Sequence, residues 1–170
     1  MQKPGSKIPF PNCVKHQIES TLKKVRIQAV KEKSKQKREY KEQNKSIAKL
    51  IQEARKPFQQ WIRMRDANNA CISCGSVDAE IWDAGHLYKA ELYSGMIFDD
   101  RNCNKQCRKC NTYLDGNEGE YRKRLIQIFG QKWVEDLDLR AEYRKSYKYD
   151  RDELNEIKKK YLKLCRSIKS

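Results

Sequence analysis

The sequence predicts an α+β protein in which a small zinc-bound core is flanked by helices and preceded by a long basic helix. Four of the seven cysteines form two C-x2-C pairs, and short strand-like stretches lie between the pairs. On both sides of this region, apolar residues recur at helical spacing. Only 38% of the 170 residues are hydrophobic, which favours one modest core with exposed helices around it.

The positive charge of the chain is concentrated near its N-terminus. The net charge is +15, and residues 1–60 carry 16 basic and 5 acidic side chains. Such a field attracts polyanions, of which nucleic acid is the commonest, although a solvated helix face is the alternative. A membrane partner is disfavoured, because residues 31–46 have almost no apolar face and no run of about 18 apolar residues exists.

The helical pattern is interrupted in the first third of the chain. We expect four segments: an irregular arm over residues 1–16, a basic helical arm over 17–66, a zinc-stabilised core over 67–130 and a helical region over 131–170. Pro57 is expected to break or restart the arm helix. Apolar patches at both ends of the arm leave a homodimer open as one arrangement.

The core and the C-terminal region follow from local signals. The sequence EIWDAGHL has a strand-like centre, and CNKQCRKCNTYL is typical of entry into a helix. A helix is predicted from Glu118 to a stop at Gly130, with an apolar side formed by Tyr121, Leu125, Ile128 and Phe129. A short helix follows, and Asp150 with Glu153 resembles a capping box at the start of the last helix.

The paired cysteines indicate a structural zinc site. Two C-x2-C pairs with 32 residues between them satisfy tetrahedral thiolate coordination, and no position is left open to water. Ordinary buried or redox cysteines and an iron–sulfur cluster are the competing interpretations. The predicted ligands are Cys71, Cys74, Cys107 and Cys110.

The other cysteines do not complete a second site. Cys103 fits a small buried side chain better than a fifth ligand. Cys13 and His16 have the spacing of half a metal site, but no second half is present, and Cys165 is treated as structural or incidental.

His86 is one of only two histidines in the chain. A lone histidine is more often a satisfied core residue than a catalytic one. Here, however, Asp83 stands three residues before it, Asn102 precedes the second cysteine pair, and Asn111 follows that pair directly. If the four cysteines hold zinc, these side chains are held near one zinc site and are not needed as its ligands, so they are available for another role.

Together these motifs resemble a known family. The order of cysteines, His86 and the two asparagines resembles the HNH, or ββα-metal, nucleases. More closely, the stretches CISCGS, WDAGH, RNxxKQCxxCN and GNxxxYR are similar to the NinG (Rap) recombination proteins of lambda-type phages. The resemblance covers roughly residues 58–140. It implies an HNH-like, treble-clef core and an endonuclease that cuts branched DNA, such as Holliday junctions and D-loops.

The resemblance also implies roles for individual residues. His86 would activate water, Asn102 would hold the loop or the histidine backbone, and Asn111 would bind a catalytic Mg²⁺ or Mn²⁺ ion. Many HNH enzymes have an acidic or histidine ligand directly before the base, where this chain has Gly85. Asp83, on the same strand face, is expected to replace that ligand, and the alternative is that it orients His86 or a nearby arginine.

The basic residues around this site are expected to contact the phosphate backbone of DNA without reading bases. They are Lys89, Arg101, Lys105, Arg108, Lys109 and Arg122. A zinc module that binds DNA or bridges proteins without catalysis is the alternative function. No signal peptide is recognisable, so we expect a cytoplasmic protein, in the host cytoplasm if a phage encodes it.

Overall fold

The computed structural model describes residues 14–168, with side chains from residue 17 onward. The regular elements are α1 (Val14–Gln43), α2 (Ile47–Arg65), β1 (Trp82–His86), β2 (Cys103–Cys107), α3 (Glu118–Phe129), α4 (Gln131–Tyr143) and α5 (Arg151–Ser167). A short 3-10 turn and a π-type turn accompany them, at Ser94–Met96 and Lys109–Tyr113. The predicted helix-rich α+β class is confirmed. Cys13, the side chain of His16 and most of the predicted irregular arm lie outside the described residues.

The chain divides into two compact units between Lys45 and Ser46. In the first unit the described part is α1, whose side chains are exposed to solvent. The polar stretch from residue 31 continues this helix to Gln43. Over residues 14–168, no helix combines the length and the apolar character needed to cross a bilayer.

The interruption between the first two helices lies at residues 44–46, so the prediction that Pro57 breaks the helix is wrong. The hydroxyl of Ser46 caps α2 by accepting a hydrogen bond of 3.3 Å from the amide of Lys49. Pro57 lies inside α2, which buries Leu50, Ala54, Pro57, Phe58 and Ile62. A proline within a helix costs roughly 3 kcal/mol, and burial of this apolar face against the core offsets that cost.

The two strands form an antiparallel pair that connects the two candidate sites. Trp82 lies opposite Cys107 at one end, and His86 lies opposite Cys103 at the other. Each strand has five residues, so the ends are about 13 Å apart. The sheet therefore places the cysteine pairs at one end and the histidine at the other.

Two apolar clusters form the core beside the sheet. In the first, the Phe58 ring on α2 packs edge-on against Tyr161 on α5, with centroids 4.9 Å apart, and lies 6.2 Å from the His86 ring. In the second, α3 and α4 bury Tyr121, Leu125, Val134 and Leu137 completely. The core is thus assembled from α2, α3, α4 and α5 around a small sheet.

The apolar side predicted for α3 is only half correct. Ile128 and Phe129 are 54% and 48% exposed, because the helix ends at Gly130 and its last turn runs past the edge of the core. Phe129 instead stacks on Trp133 at the surface, with centroids 4.5 Å apart. The predicted cap of α5 is present: Asp150 accepts a hydrogen bond of 2.8 Å from the amide of Glu153.

Candidate functional site

The four predicted ligands meet at one point. The sulfur atoms of Cys71, Cys74, Cys107 and Cys110 all lie within 4.8 Å of one another. The sulfurs of Cys74 and Cys107 are 3.8 Å apart, which is too far for a disulfide. Zn–S bonds of about 2.3 Å in a tetrahedron place sulfurs about 3.8 Å apart, so this spacing suits a zinc ion. The cluster could therefore hold a metal ion such as zinc.

Backbone and side-chain donors point at the sulfurs. The amide of Cys107 donates to the sulfur of Cys71 at 3.3 Å, and the side-chain amide of Asn117 donates to Cys110 at 3.5 Å. Gly75, directly after the first pair, has φ of +72°, which lets the chain turn back tightly. Such outer donors orient thiolates toward a metal.

The electrostatics of the cluster favour a bound cation. Burial raises the pKa of the Cys110 thiol to about 12, and it also raises the pKa of Cys107. Burial raises the pKa of Cys71, but hydrogen bonds from the backbone amides of Cys107, Cys74 and Ser73 outweigh this effect, so the pKa is lowered. Four converging thiolates would repel one another strongly, and a divalent cation removes that repulsion.

A strained turn connects the cysteine cluster to the cleft beside His86. Asp115, Gly116 and Asn117 have φ of +48°, +90° and +44°, so three consecutive residues are left-handed. Two of them are not glycine, and such backbone costs of order 1–3 kcal/mol per residue. The turn directs Asn117 to the sulfur of Cys110 and the carbonyl of Gly116 to Gln106, which offsets its cost.

His86 lines an open cleft of about 250 Å³ with its half-buried imidazole. Its Nε2 lies 3.0 Å from the carbonyl oxygen of Ile97. Because a carbonyl only accepts hydrogen bonds, Nε2 carries the proton and Nδ1 keeps its lone pair. Nδ1 lies 3.9 Å from the sulfur of Cys103, which is fully buried as expected.

The surroundings of His86 favour the neutral ring. Burial lowers its pKa, and the nearby charge of Arg55 acts in the same direction. The hydrogen bond to Ile97 and the charge of Glu91 oppose this effect without cancelling it. The imidazole is therefore held neutral, in one tautomer, at the wall of a cleft that is open to solvent.

The hydrogen bonds of the Asn102 side chain join it to the backbone of the loop between β1 and β2. Its side chain is fully buried, accepts a hydrogen bond of 2.8 Å from the amide of Tyr88, and donates to the carbonyls of Tyr88 and Met96. These bonds tie together both sides of the loop between β1 and β2. Ile97, whose carbonyl lies 3.0 Å from the His86 ring, is the next residue after Met96 in this loop.

Asp83 is engaged by an arginine. Its two carboxylate oxygens accept hydrogen bonds of 2.6 and 2.8 Å from Arg108, and one of them accepts a third of 3.1 Å from the side-chain amide of Asn111. This arrangement corresponds to the alternative role of orienting an arginine. A direct role for Asp83 as a metal ligand stays a prediction and would require Arg108 to move.

The space beside Gly85 is occupied by another side chain. A Cβ atom at this position would lie 2.0 Å from Oε1 of Gln106 and 3.1 Å from Oδ1 of Asn111. Gln106 reaches this volume from β2, where it is fully buried. The missing side chain at Gly85 is thus replaced in space by a glutamine from the neighbouring strand.

Most of the basic residues predicted to bind DNA have partners within the protein. Lys89 is paired with Asp115 at 2.5 Å, Arg122 with Asp138, and the guanidinium of Arg101 lies over the Trp133 ring. Arg108, Arg122 and Lys89 remain partly exposed, and Lys109 is exposed.

Lys105 differs from the others, because its side chain is buried. Its ammonium group donates to the carbonyl of Ala67 at 2.7 Å and lies 4.2 Å from the centre of the Trp82 ring. A phosphate could not reach this ammonium in the present structure. We therefore revise the expected role of Lys105 from DNA contact to support of the fold.

Three residues near the site were not predicted from the sequence. Arg55 lines the cleft from α2, Gln106 lies buried on β2 beside Gly85, and Tyr121 from α3 donates to the carbonyl of Gly85 at 3.0 Å. The unusual glycine before His86 was a signal for Gln106. Nothing local in the sequence pointed to Arg55, since it lies outside the expected core segment.

Comparison with known proteins identifies relatives along most of the chain. A family profile described as "Bacteriophage Lambda NinG protein" matches residues 4–170. Protein ninG of Escherichia phage 933W is 32% identical over 120 residues, which are 71% of this chain and 58% of the relative. Protein ninG of Salmonella phage P22 is 32% identical over 119 residues, covering 70% and 57% of the two chains.

Protein ninG of Escherichia phage lambda is 38% identical over 88 residues, covering 52% of this chain and 43% of the relative. The aligned part spans about half the length of these curated relatives. No solved structure matches the chain.

Proposed function

Because this chain belongs to the NinG family of lambda-like phages, we propose that it is a metal-dependent endonuclease that cuts branched DNA during phage recombination. One observation carries the proposal: the neutral imidazole of His86 lies at an open cleft, with its Nε2 proton donated to a backbone carbonyl. With Nε2 protonated, Nδ1 keeps the lone pair that a general base requires, and a water molecule would have to replace the Cys103 thiol that lies 3.9 Å from it.

The proposed reaction is hydrolysis of a phosphodiester bond. His86 would take a proton from a water molecule, and the resulting hydroxide would attack phosphorus. Asn102 would act as a positioning residue, because it fixes the loop whose Ile97 carbonyl holds the ring. A neutral histidine with a lowered pKa remains competent below neutral pH.

A divalent ion, Mg²⁺ or Mn²⁺, would neutralise charge on the phosphate and on the departing 3′ oxygen. Oxygen donors suit both ions, and the side-chain oxygen of Asn111 lies beside Gly85 at the cleft. The cysteine cluster has a separate role, because thiolates suit zinc and all its positions are filled by protein.

DNA binding would be mainly electrostatic. The exposed or partly exposed cations Lys89, Arg108, Lys109 and Arg122 belong to the unit that contains the cleft, and α1 adds an exposed basic helix. Contacts to the backbone would favour recognition of branched DNA by shape over reading of its bases.

A synthetic four-way junction tests the proposed function directly. We expect nicking of the labelled junction in Mg²⁺ or Mn²⁺, with at least about ten-fold less nicking of a linear duplex of the same sequence and none in EDTA. The reason is that the ion supplies charge neutralisation that the neutral amides cannot supply alone. The measurement is product formation on denaturing gels under single-turnover conditions.

The competing function is a zinc module that binds DNA or bridges proteins without cutting. The pairing of Asp83 with Arg108 favours this alternative, since Arg108 occupies both carboxylate oxygens that could otherwise bind an ion. Salt-sensitive binding to the junction with no product at any Mg²⁺ or Mn²⁺ concentration would establish this alternative.

Deletion of residues 1–45 is expected to weaken junction binding and to flatten its dependence on salt. The deletion ends at the boundary between the two units and leaves Ser46 to cap α2. Fewer phosphate contacts release fewer counterions, so the slope of log K against log salt concentration should become less negative. Fluorescence anisotropy between about 50 and 200 mM salt measures this slope.

A second variant removes part of the positive charge and keeps the arm. Substitution of Lys33, Lys35 and Lys37 by glutamine should reduce the slope without removing α1. An unchanged slope in both variants would mean that the arm faces a protein partner or solvent.

A further inference from the structure

Gln106 carries a buried oxygen atom without a hydrogen-bond partner. The residue is fully buried on β2, opposite Asp83 on β1. Its Nε2 donates to the hydroxyl of Ser73 at 2.7 Å and to the carbonyl of Gly116 at 2.6 Å. Because that carbonyl needs a donor, the amide orientation is fixed and Oε1 is the atom left without a partner.

A second amide oxygen points at the same place. Asn111 donates its Nδ2 to the carboxylate of Asp83, which accepts only, so its Oδ1 faces the other way. The Cβ position of Gly85 lies 2.0 Å from Oε1 of Gln106 and 3.1 Å from Oδ1 of Asn111. Two oxygens that both accept hydrogen bonds therefore converge beside Gly85.

Two converging acceptor oxygens repel each other, and a buried acceptor without a partner destabilises the folded state. A cation between them removes both penalties, and oxygen atoms of amides are ligands for hard divalent ions. Asp83 is a poorer candidate in this structure, because Arg108 occupies both of its carboxylate oxygens.

We infer that Gln106 Oε1 and Asn111 Oδ1 together bind a divalent cation beside Gly85, with Gln106 supplying the ligand that residue 85 cannot supply. The catalytic meaning of this site rests on the proposed function, but its existence does not. Since both ligands are neutral, free protein should bind the ion weakly, and phosphate oxygens of DNA would complete its coordination.

Mn²⁺ provides a probe that does not depend on activity. In the full-length, zinc-loaded protein, low concentrations of Mn²⁺ should broaden the side-chain amide signals of Gln106 and Asn111 before other signals in the NMR spectrum. Excess Mg²⁺ should restore them. Titration of the free Mn²⁺ signal by electron paramagnetic resonance then gives the dissociation constant for each variant.

Three variants separate a ligand role from a structural role. In Gly85→Ala the added methyl group displaces Oε1, and we expect Mn²⁺ affinity to fall at least about ten-fold. Gln106→Glu loses the two hydrogen bonds that Nε2 donates, but it keeps an oxygen and adds a negative charge, so the folded variant should bind Mn²⁺ about ten-fold more tightly. Ser73→Ala removes only the hydroxyl that holds Nε2, and affinity should stay within about two-fold of wild type.

The inference fails if both Gly85→Ala and Gln106→Glu bind Mn²⁺ as wild type does. It also fails if broadening centres on other groups, since the oxygens would then be bridged by water. Zinc content and spectral dispersion show whether each variant is folded, and Gln106→Glu keeps the test decisive if Gly85→Ala does not fold. Selective broadening without junction cutting would uphold the ion site and overturn the nuclease proposal.

Discussion

Cys110→Ser is expected to abolish zinc binding and to unfold much of the second unit. Cys110 is fully buried and shares its cluster with Cys71, Cys74 and Cys107. If the cluster holds zinc, the ion links the turn at residues 71–75 to the end of β2. We expect the free energy of unfolding to fall by at least about 5 kcal/mol, since metal binding in such sites is coupled to folding.

The measurement combines zinc content by atomic absorption with thermal unfolding followed by circular dichroism. Chelation of wild-type protein should reproduce the effect of the substitution, because both remove the same cross-link. The helical signal of α1 should persist in part, since that helix belongs to the other unit and is exposed along its described length.

Cys165→Ser is the matched control, because it makes the same chemical change at a buried cysteine outside the cluster. Cys165 donates to the carbonyl of Pro57 at 3.5 Å, and a serine hydroxyl can keep that hydrogen bond. Its cost should stay near about 1 kcal/mol with full zinc content. Wild-type protein that unfolds at one temperature with and without zinc would contradict the structural role.

The cysteine cluster was accessible from the sequence because its signal is local. A two-residue spacer allows only a tight turn, and two such pairs rarely serve separate purposes in a small domain. Helix ends were predictable for the same reason, as the cap formed by Asp150 and the stop at Gly130 show.

The predictions for Pro57 and Lys105 were wrong because contacts with residues distant in sequence decide both cases. Pro57 is tolerated in α2 because distant residues bury the face on which it lies, and no local rule includes that contribution. Lys105 belongs to a strongly basic stretch, yet the strand turns its ammonium inward onto Trp82 and Ala67. Composition cannot distinguish such a lysine from one that contacts phosphate.

The site near His86 was predictable in part, because it depends on both local and long-range features. The sequence singled out Gly85, where the resemblance implies a ligand, and proposed Asp83 along the same strand, a role that stays a prediction. Across the sheet, Gln106 fills that space, and this neighbour depends on strand register that the sequence did not define. The arginine partner of Asp83 follows from the same register, because it emerges directly after β2.

His86→Ala is expected to reduce the rate of junction cutting by about 10²- to 10⁴-fold, the range that a general base contributes. Zinc content should be unchanged, because the ring lies at the opposite end of the sheet from the cysteines. Junction affinity should also be nearly unchanged, since the ring is neutral. Single-turnover rates at saturating protein measure the loss apart from binding.

The pH dependence gives a second, independent test of the same residue. Burial lowers the pKa of His86 below its ordinary value of about 6.5, so the neutral base should persist below that pH. The cutting rate of wild type should therefore rise with pH to a plateau, with its midpoint below about 6.5. Stability follows the same direction: a depressed histidine pKa contributes stability above the unfolded value, and this is lost as pH falls toward the folded value.

NMR titration connects the two tests, because the chain has only two histidines. The His86 ring should titrate with the same midpoint as the cutting rate, whereas His16 serves as the internal reference and His16→Ala as the matched activity control. Cutting by His86→Ala at the wild-type rate would remove the imidazole from the mechanism. A rate profile that follows His16 instead would assign the base to His16 and contradict the proposed role of His86.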